Sequence, residues 1–194
     1  MKEKRPVVIP DTQQLESELR RVKHQNRYKR TLMNTIYSLI TVAAVAVLVA
    51  TLWMPVLKIY GSSMTPTLVN GNIVVCVRTH DFEQGDVMAF YYNNNILVKR
   101  IIAQPGQWVN IEPDGTVSVD KQPLDEPYIS EKAKGYCDIE LPYQVPESRV
   151  FVMGDHRDTS IDSRSTTIGC VADENIVGKL VFCVWPLENF GFIG

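Results

Sequence analysis

Hydrophobic and polar positions change their spacing twice along this chain, near residue 31 and again near residue 58. Residues 11–30 carry Leu15, Leu19 and Val22 at helical spacing among charged neighbours, with Asp11 and Gln14 placed as a capping box would be, which predicts a short amphipathic helix. Such a helix could lie on a membrane, pair with a partner or extend the segment that follows. Residues 31–57 contain no charged side chain. Their stretch IYSLITVAAVAVLVATLWMPVL, 22 residues, would be about 33 Å long as a helix, enough to cross a bilayer. A cleaved secretory signal fits poorly, because its apolar region runs to about 7 to 15 residues behind a short leader. Tyr37 and Trp53, near the two ends, read as interface anchors rather than as parts of a buried core helix. Beyond Lys58 the pattern becomes strand-like, at NIVVCV, DVMAFYY, ILVKRII, QWVNIE, TVSVD, RVFVMGD and IVGKLVFCVW. NNN at 93–95 and PDGT at 113–116 are hairpin signals. The expectation is a mainly β protein: a folded-over antiparallel β-sheet domain, residues 58–194, preceded by one transmembrane α-helix at 32–57 and a basic leader at 1–31.

Charge orients this arrangement. Residues 1–31 hold nine Lys/Arg and four Asp/Glu, and residues 32–194 hold eleven and eighteen, a balance of +5 against −7. The cluster RRVKHQNRYKR directly precedes the span, so the positive-inside bias predicts a single-pass protein of the cell membrane. Its N-terminus would be cytoplasmic, its β domain extracytoplasmic, and membrane lipid its immediate surroundings. The net charge of −2 argues against nucleic acid as a partner. Cys76, Cys137, Cys170 and Cys183 all fall on the outer side, where disulfides are permitted, but permission does not decide pairing. No CxxC pair is present, and neither a metal nor another cofactor is expected.

Candidate chemistry begins at GSSMTPTL, residues 61–68. Alone it is ordinary turn sequence. A nucleophile at Ser63 needs a base, and the G-x-S-x-G elbow is excluded because position 65 is Thr. His24 is in the leader, His80 in a polar loop, and His156 in MGDHRD. A triad of Ser63, His156 and an Asp is formally open, although Asp155 and Asp158, as chain neighbours, are poorly placed to orient the ring. Lys99 in ILVKRII is the better base. Strand alternation puts it with Leu97 and Ile101, and Arg100 with Val98 and Ile102, so both faces around the charges are apolar. An exposed lysine is neutral in only about one molecule in 2,500 at pH 7, whereas burial lowers its pKa by several units. The competing reading is an edge-strand lysine with its amine in water. A third stretch, GDHRDTSIDSR at 154–164, sets Ser160, Asp162 and Arg164 at every second position.

Taken together, SSMTPTL, the strand VKR and GDxRxxSxDSR resemble the bacterial type I signal peptidases, membrane-bound serine endopeptidases that remove signal peptides from secreted preproteins. The resemblance runs from the spanning helix to WP at 185–186, and includes QPGQWV and VGK. It implies Ser63 as nucleophile, Lys99 as general base, Ser160 as the hydroxyl that orients the amine, and Asp162 with Arg164 as a supporting ion pair that could include Arg100. It further implies secretory preproteins as partners and cleavage after small residues, with Ile59 and Val98 as walls of the shallow substrate pocket. Four positions depart from the family pattern. Gly61 stands where some members have an oxyanion-hole serine, Asn72 where Asp is frequent, and His156 and Thr159 where Asn is commoner. A related Ser/Lys peptidase with a dedicated substrate, such as a pilin, and a tethered non-catalytic binding module are the competing functions.

Overall fold

The computed structural model describes residues 11–79 and 81–193, which leaves His80 and the first ten residues of the leader outside the described residues. The chain divides between Val49 and Ala50 into two compact units. The first is most of one helix, α1 (Thr12–Trp53). Of the three fates open to the amphipathic segment, it extends the apolar one: α1 is continuous for 42 residues, contains no Pro or Gly, and buries no side chain. The Asp11 carboxylate accepts the N–H and the hydroxyl of Thr12 at 2.7 and 3.3 Å, in place of a reciprocal box with Gln14. α1 is long and apolar enough to cross a membrane, and it stops at Trp53 rather than at residue 57. Pro55 is the physical reason, since it has no N–H for the helix ladder and disfavours helix at the residue before it.

The second unit is built of strands β1 (Val56–Lys58), β2 (Ile73–Val77), β3 (Val87–Tyr92), β4 (Asn95–Ala103), β5 (Trp108–Ile111), β6 (Val117–Val119), β7 (Gln122–Pro123), β8 (Tyr143–Gln144), β9 (Arg149–Met153), β10 (Val171–Ala172), β11 (Ile176–Trp185) and β12 (Gly191–Phe192). One sheet has the order β1-β2-β11-β3-β4-β9-β10, with β12 also on β11; a smaller one has the order β7-β6-β5-β8. The pairs are antiparallel, as expected for a mainly β domain joined by turns. Both turn signals mark real hairpins. Gly115 takes φ +88° between β5 and β6, and Asn93 and Asn94 take φ 43° and 64° between β3 and β4, the signature of a two-residue primed turn.

β3 and β4 form the centre of the larger sheet, and both of their faces are covered. Val87 and Ala89 of β3 pack with Ile59, Met64, Leu68, Val74, Leu180 and Cys183, whereas Met88 and Phe90 pack on the other side with Ile101, Val150, Val152 and Val171. That explains why DVMAFYY and ILVKRII read as nearly continuous apolar runs instead of clean alternation. A third cluster joins the two sheets through Ile102, Val109, Ile111, Val117, Phe151 and Met153. The four cysteines are free thiols, with Cys76, Cys170 and Cys183 buried. Burial pushes the Cys76 and Cys170 thiols up to about 11, which keeps them protonated and unreactive at neutral pH.

Phe151 is completely buried between the sheets. Phe151→Ala should therefore lower the unfolding free energy of the β domain by about 3 to 5 kcal/mol, read as a lower urea midpoint in detergent. A loss below about 1 kcal/mol would mean that the sheets are not locked by this cluster.

Candidate active site

The loop after β1 turns sharply at Gly61, φ +89°, and is closed by Thr65, whose N–H and hydroxyl both donate to the Ser62 carbonyl at 3.1 and 2.7 Å. Ser62 is exposed and belongs to the turn, and Ser63 is half-buried. The Ser63 carbonyl accepts the backbone N–H of His156 at 3.1 Å, which ties this loop to the segment 154–164. Among the described residues the Ser63 N–H makes no hydrogen bond.

Lys99 arrives from β4. The β3–β4 turn sets a register in which Met88 faces Lys99 and Val87 faces Arg100. Lys99 is 4% exposed, and its Nζ lies 2.7 Å from Ser63 Oγ. The edge-strand alternative is therefore excluded. Burial lowers its pKa from 10.5 to about 8; Asp162 and Asp155 pull it upward, and Arg164 pushes it further down. His156 is exposed, with Nδ1 3.2 Å from Thr65 Oγ1, and its ring makes no hydrogen bond to Ser63. The histidine triad is not assembled.

The supporting groups differ in part from expectation. Asp162 and Arg164 do form a buried ion pair, through Nε–Oδ1 and Nη2–Oδ2 contacts of 2.8 Å each. Asp162 also accepts the Gly154 N–H at 2.9 Å. Arg100 does not join them. It pairs with Asp155, at 2.9 Å from Nε and 2.8 Å from Nη2, donates to the Gly85 carbonyl, and lies 3.8 Å over the Tyr128 ring. The reason is alternation: one residue along β4 from Lys99, Arg100 points away from it. Ser160 is buried, but its Oγ has no hydrogen-bond partner among the described residues, so the expected bond to the amine is not made here. Ile59 and Val98 both line a groove of about 650 Å³ together with Tyr60, Ser63, Met64 and Lys99.

A family model described as "Signal peptidase, peptidase S26" matches residues 32–185. The chain belongs to that family. It is 32% identical over 184 residues to signal peptidase IB of Staphylococcus aureus, covering 84% of this chain and 95% of that protein. It is 35% identical over 147 residues to a probable signal peptidase I-1 of Synechocystis, covering 68% and 71%. A crystal structure of a signal peptidase I from Enterococcus faecalis aligns with a TM-score of 0.45 and 27% identity, over 52% of this chain and 97% of that one.

In this S26 peptidase several residues around the site escaped sequence reasoning. Arg157 is buried against Glu126 in a bidentate pair and donates to the Gly154 carbonyl at 3.1 Å. Glu126 sits in an irregular loop with no local pattern to mark it. Asp155 was set aside as a histidine partner, and its real role is to neutralise Arg100 and to accept the Thr67 hydroxyl at 2.5 Å. Gly154 carries the sharpest constraint. A Cβ there would fall 2.2 Å from Ser160 Oγ and 2.5 Å from the Ser63 carbonyl oxygen. The family departures are milder: His156 and Thr159 are exposed, and Asn72 uses its Oδ1 to hold the Val69 N–H at 2.8 Å.

Gly154→Ala should push the Ser63 loop away from Lys99, because the backbone oxygen it meets cannot rotate aside as a side chain can. Peptidase kcat/KM should fall by about a hundredfold, with a much smaller change in the melting temperature of the β domain. Full activity in Gly154→Ala would show that the Ser63–Lys99 spacing does not depend on this contact.

Proposed function

We propose that this chain is a signal peptidase I that cleaves signal peptides from secreted preproteins at the outer membrane surface, with Ser63 as nucleophile and Lys99 as general base. The observation that carries the reading is the 2.7 Å approach of a buried, pKa-lowered amine to a serine hydroxyl. Neutral Lys99 takes the Ser63 proton as Oγ adds to the scissile carbonyl. The new ammonium then protonates the leaving amine as the C–N bond breaks, which leaves an acyl-serine and the mature protein. Water, deprotonated by the same amine, releases the signal peptide.

The free N–H of Ser63 is the oxyanion donor in this scheme. A serine at position 61 would not simply supply the second donor, since φ +89° strains an L-residue. The substrate would be added as a strand along β4. Pairing of β4 with β9 starts only at Arg100, so residues 95–99 keep one backbone edge open beside the groove. With Ile59 and Val98 as close walls, small side chains are favoured at the first and third positions before the cut. Asp162 and Arg164 set the charge around the amine, Ser160 lies buried in the same segment without a bond to it, and Arg100 fixes the far side of the same strand through Asp155. The N-terminus is assigned to the cytoplasm from the basic residues before the span.

Detergent-solubilised protein incubated with a secretory preprotein should cut once, after a small residue beyond the apolar segment, as mapped by mass spectrometry. Ser63→Ala, Lys99→Met and Lys99→Arg should each reduce the cut to background, the last because guanidinium stays protonated. His156→Asn should stay within a few-fold of native. Substantial cleavage by folded Lys99→Met would remove Lys99 from the role of base.

The pH dependence follows from the amine. Only neutral Lys99 is active, so kcat/KM should rise about tenfold per pH unit at low pH and level off above about 8. A limb near 10.5, the ordinary lysine value, would contradict the assignment. Stability moves in the same direction. Between about 8 and 10.5 the unfolded chain binds the proton that the folded one has released, so stability rises with pH in that window. Below it the buried ammonium costs about 3 kcal/mol, and Lys99→Met should be the more stable protein at neutral pH, as read by chemical denaturation.

A further inference from the structure

The polar half of α1 carries a stripe that nothing among the described residues covers. Leu15, Leu19 and Val22 are 55, 62 and 51% exposed, and they line a shallow groove with Glu18, Lys23 and Asn26 along one side of the helix. In proteins most of a helix's stability comes from packing its apolar face, and this face has nothing described packed on it. The stripe cannot simply turn down onto lipid if α1 crosses the bilayer. Sharp kinks need Pro, Gly or a break in the ladder, and α1 runs unbroken without either residue.

The spacing is that of a heptad. With Leu19 and Asn26 at a positions, Leu15 and Val22 fall at d, and the register runs on through Ile36 at d and Ile40 at a inside the apolar half. Lys29 is the charged member of the seam, at a d position where its stem can lie along the apolar surface with the ammonium turned outward. Arg20, Arg21, His24 and Arg27 all fall outside it, at b, c and f. Asn26 is the informative residue. A single a-position Asn favours a parallel two-stranded pairing, in which it meets its own copy, over an antiparallel one, in which it would face an apolar d residue. Charge agrees with this. Glu18 stands at g and Lys23 at the following e, and in a parallel pair these two meet across the interface in both directions.

We infer that α1 pairs in parallel with α1 of a second copy of this chain, through a seam of Leu15, Leu19, Val22 and Asn26 flanked by reciprocal Glu18–Lys23 contacts. The inference does not depend on the proposed cleavage reaction. It requires self-association because the complementary charges lie on the same sequence.

Disulfide cross-linking of full-length protein in membranes tests it, with copper phenanthroline as oxidant and the native protein as background for its four cysteines. Leu19→Cys should cross-link to a dimer severalfold faster than Arg20→Cys, both positions being exposed enough to tolerate the change. Glu18→Lys alone and Lys23→Glu alone should each lower the dimer fraction formed by Leu19→Cys, and the two together should restore it. Circular dichroism of the same samples checks that the β domain stays folded. Equal rates at positions 19 and 20 would overturn the pairing, as would a double swap as weak as either single one. A fluorophore attached to the thiol of the Leu19→Cys variant that shifts to the blue in dilute vesicles of the uncross-linked protein would also overturn it, in favour of a stripe that faces lipid.

Discussion

Everything at the candidate site depends on holding one lysine out of water with no carboxylate of its own. Among the described residues, the buried ionisable side chains of the β domain are three arginines, three acids and Lys99, apart from the thiols. The arginines and acids match one to one: Arg100 with Asp155, Arg157 with Glu126, Arg164 with Asp162. Lys99 is what remains. Had one arginine been missing, its acid would have been free to stabilise the ammonium, and the amine would have kept its proton at neutral pH. Asp162 raises the pKa of Lys99 and Arg164 lowers it, while burial is the larger influence. Such pairs contribute little net stability, since desolvation consumes most of the attraction, but removing one partner leaves a buried charge. Here their use is to make the interior electrically quiet around the lysine.

Register is the second requirement, and it is set at a distance. The two-residue turn at Asn93 and Asn94 fixes how β4 lies on β3. A slip of one residue would bring Arg100 into the place of Lys99 in one direction, or Lys99 into the place of Arg100 in the other. The first would stand a guanidinium beside Ser63, and the second would set a lysine against Asp155, whose carboxylate would hold it charged. The asparagine turn thus decides which of two adjacent cations stands beside Ser63. The rest of the sheet supports that choice, with β11 and β9 covering the outer edges of the hairpin.

Much of this was legible in the sequence, and the gaps have physical causes. The seven apolar runs became strands β2, β3, β4, β5, β6, β9 and β11, because each run is long enough to show a period. The strands that had no such signal, β1, β7, β8, β10 and β12, have only two or three residues each, and they exist because a neighbour offers its edge. Lys99 could be singled out because a charge inside an apolar strand is locally odd, whereas Ser63, in ordinary turn sequence, was marked only by the resemblance of the combined motifs to the signal peptidases. The partner of Arg100 could not be read, because Asp155 is 55 residues away and sits in a motif dense with other charges. Glu126 had no signal at all. Its loop has no periodicity, and only the folded position of Arg157 gives its carboxylate a purpose.

The segment 154–164 joins these requirements in one piece of chain. Gly154 lets the backbone approach the Ser63 carbonyl, the His156 N–H holds that carbonyl, and Asp162 binds both the Gly154 N–H and Arg164. The position of Ser63 and the charge balance are therefore not independent properties, since the hydrogen bond that orients the segment uses the same carboxylate that neutralises the arginine. The segment is anchored by Ser163, whose Oγ accepts the Val152 N–H and donates to the Gly169 carbonyl, so it moves only if the β9 edge moves with it. Ile101 and Val152 face each other across β4 and β9 in one apolar cluster, so the packing that holds this edge also holds the segment that lies beside Lys99 and Ser63.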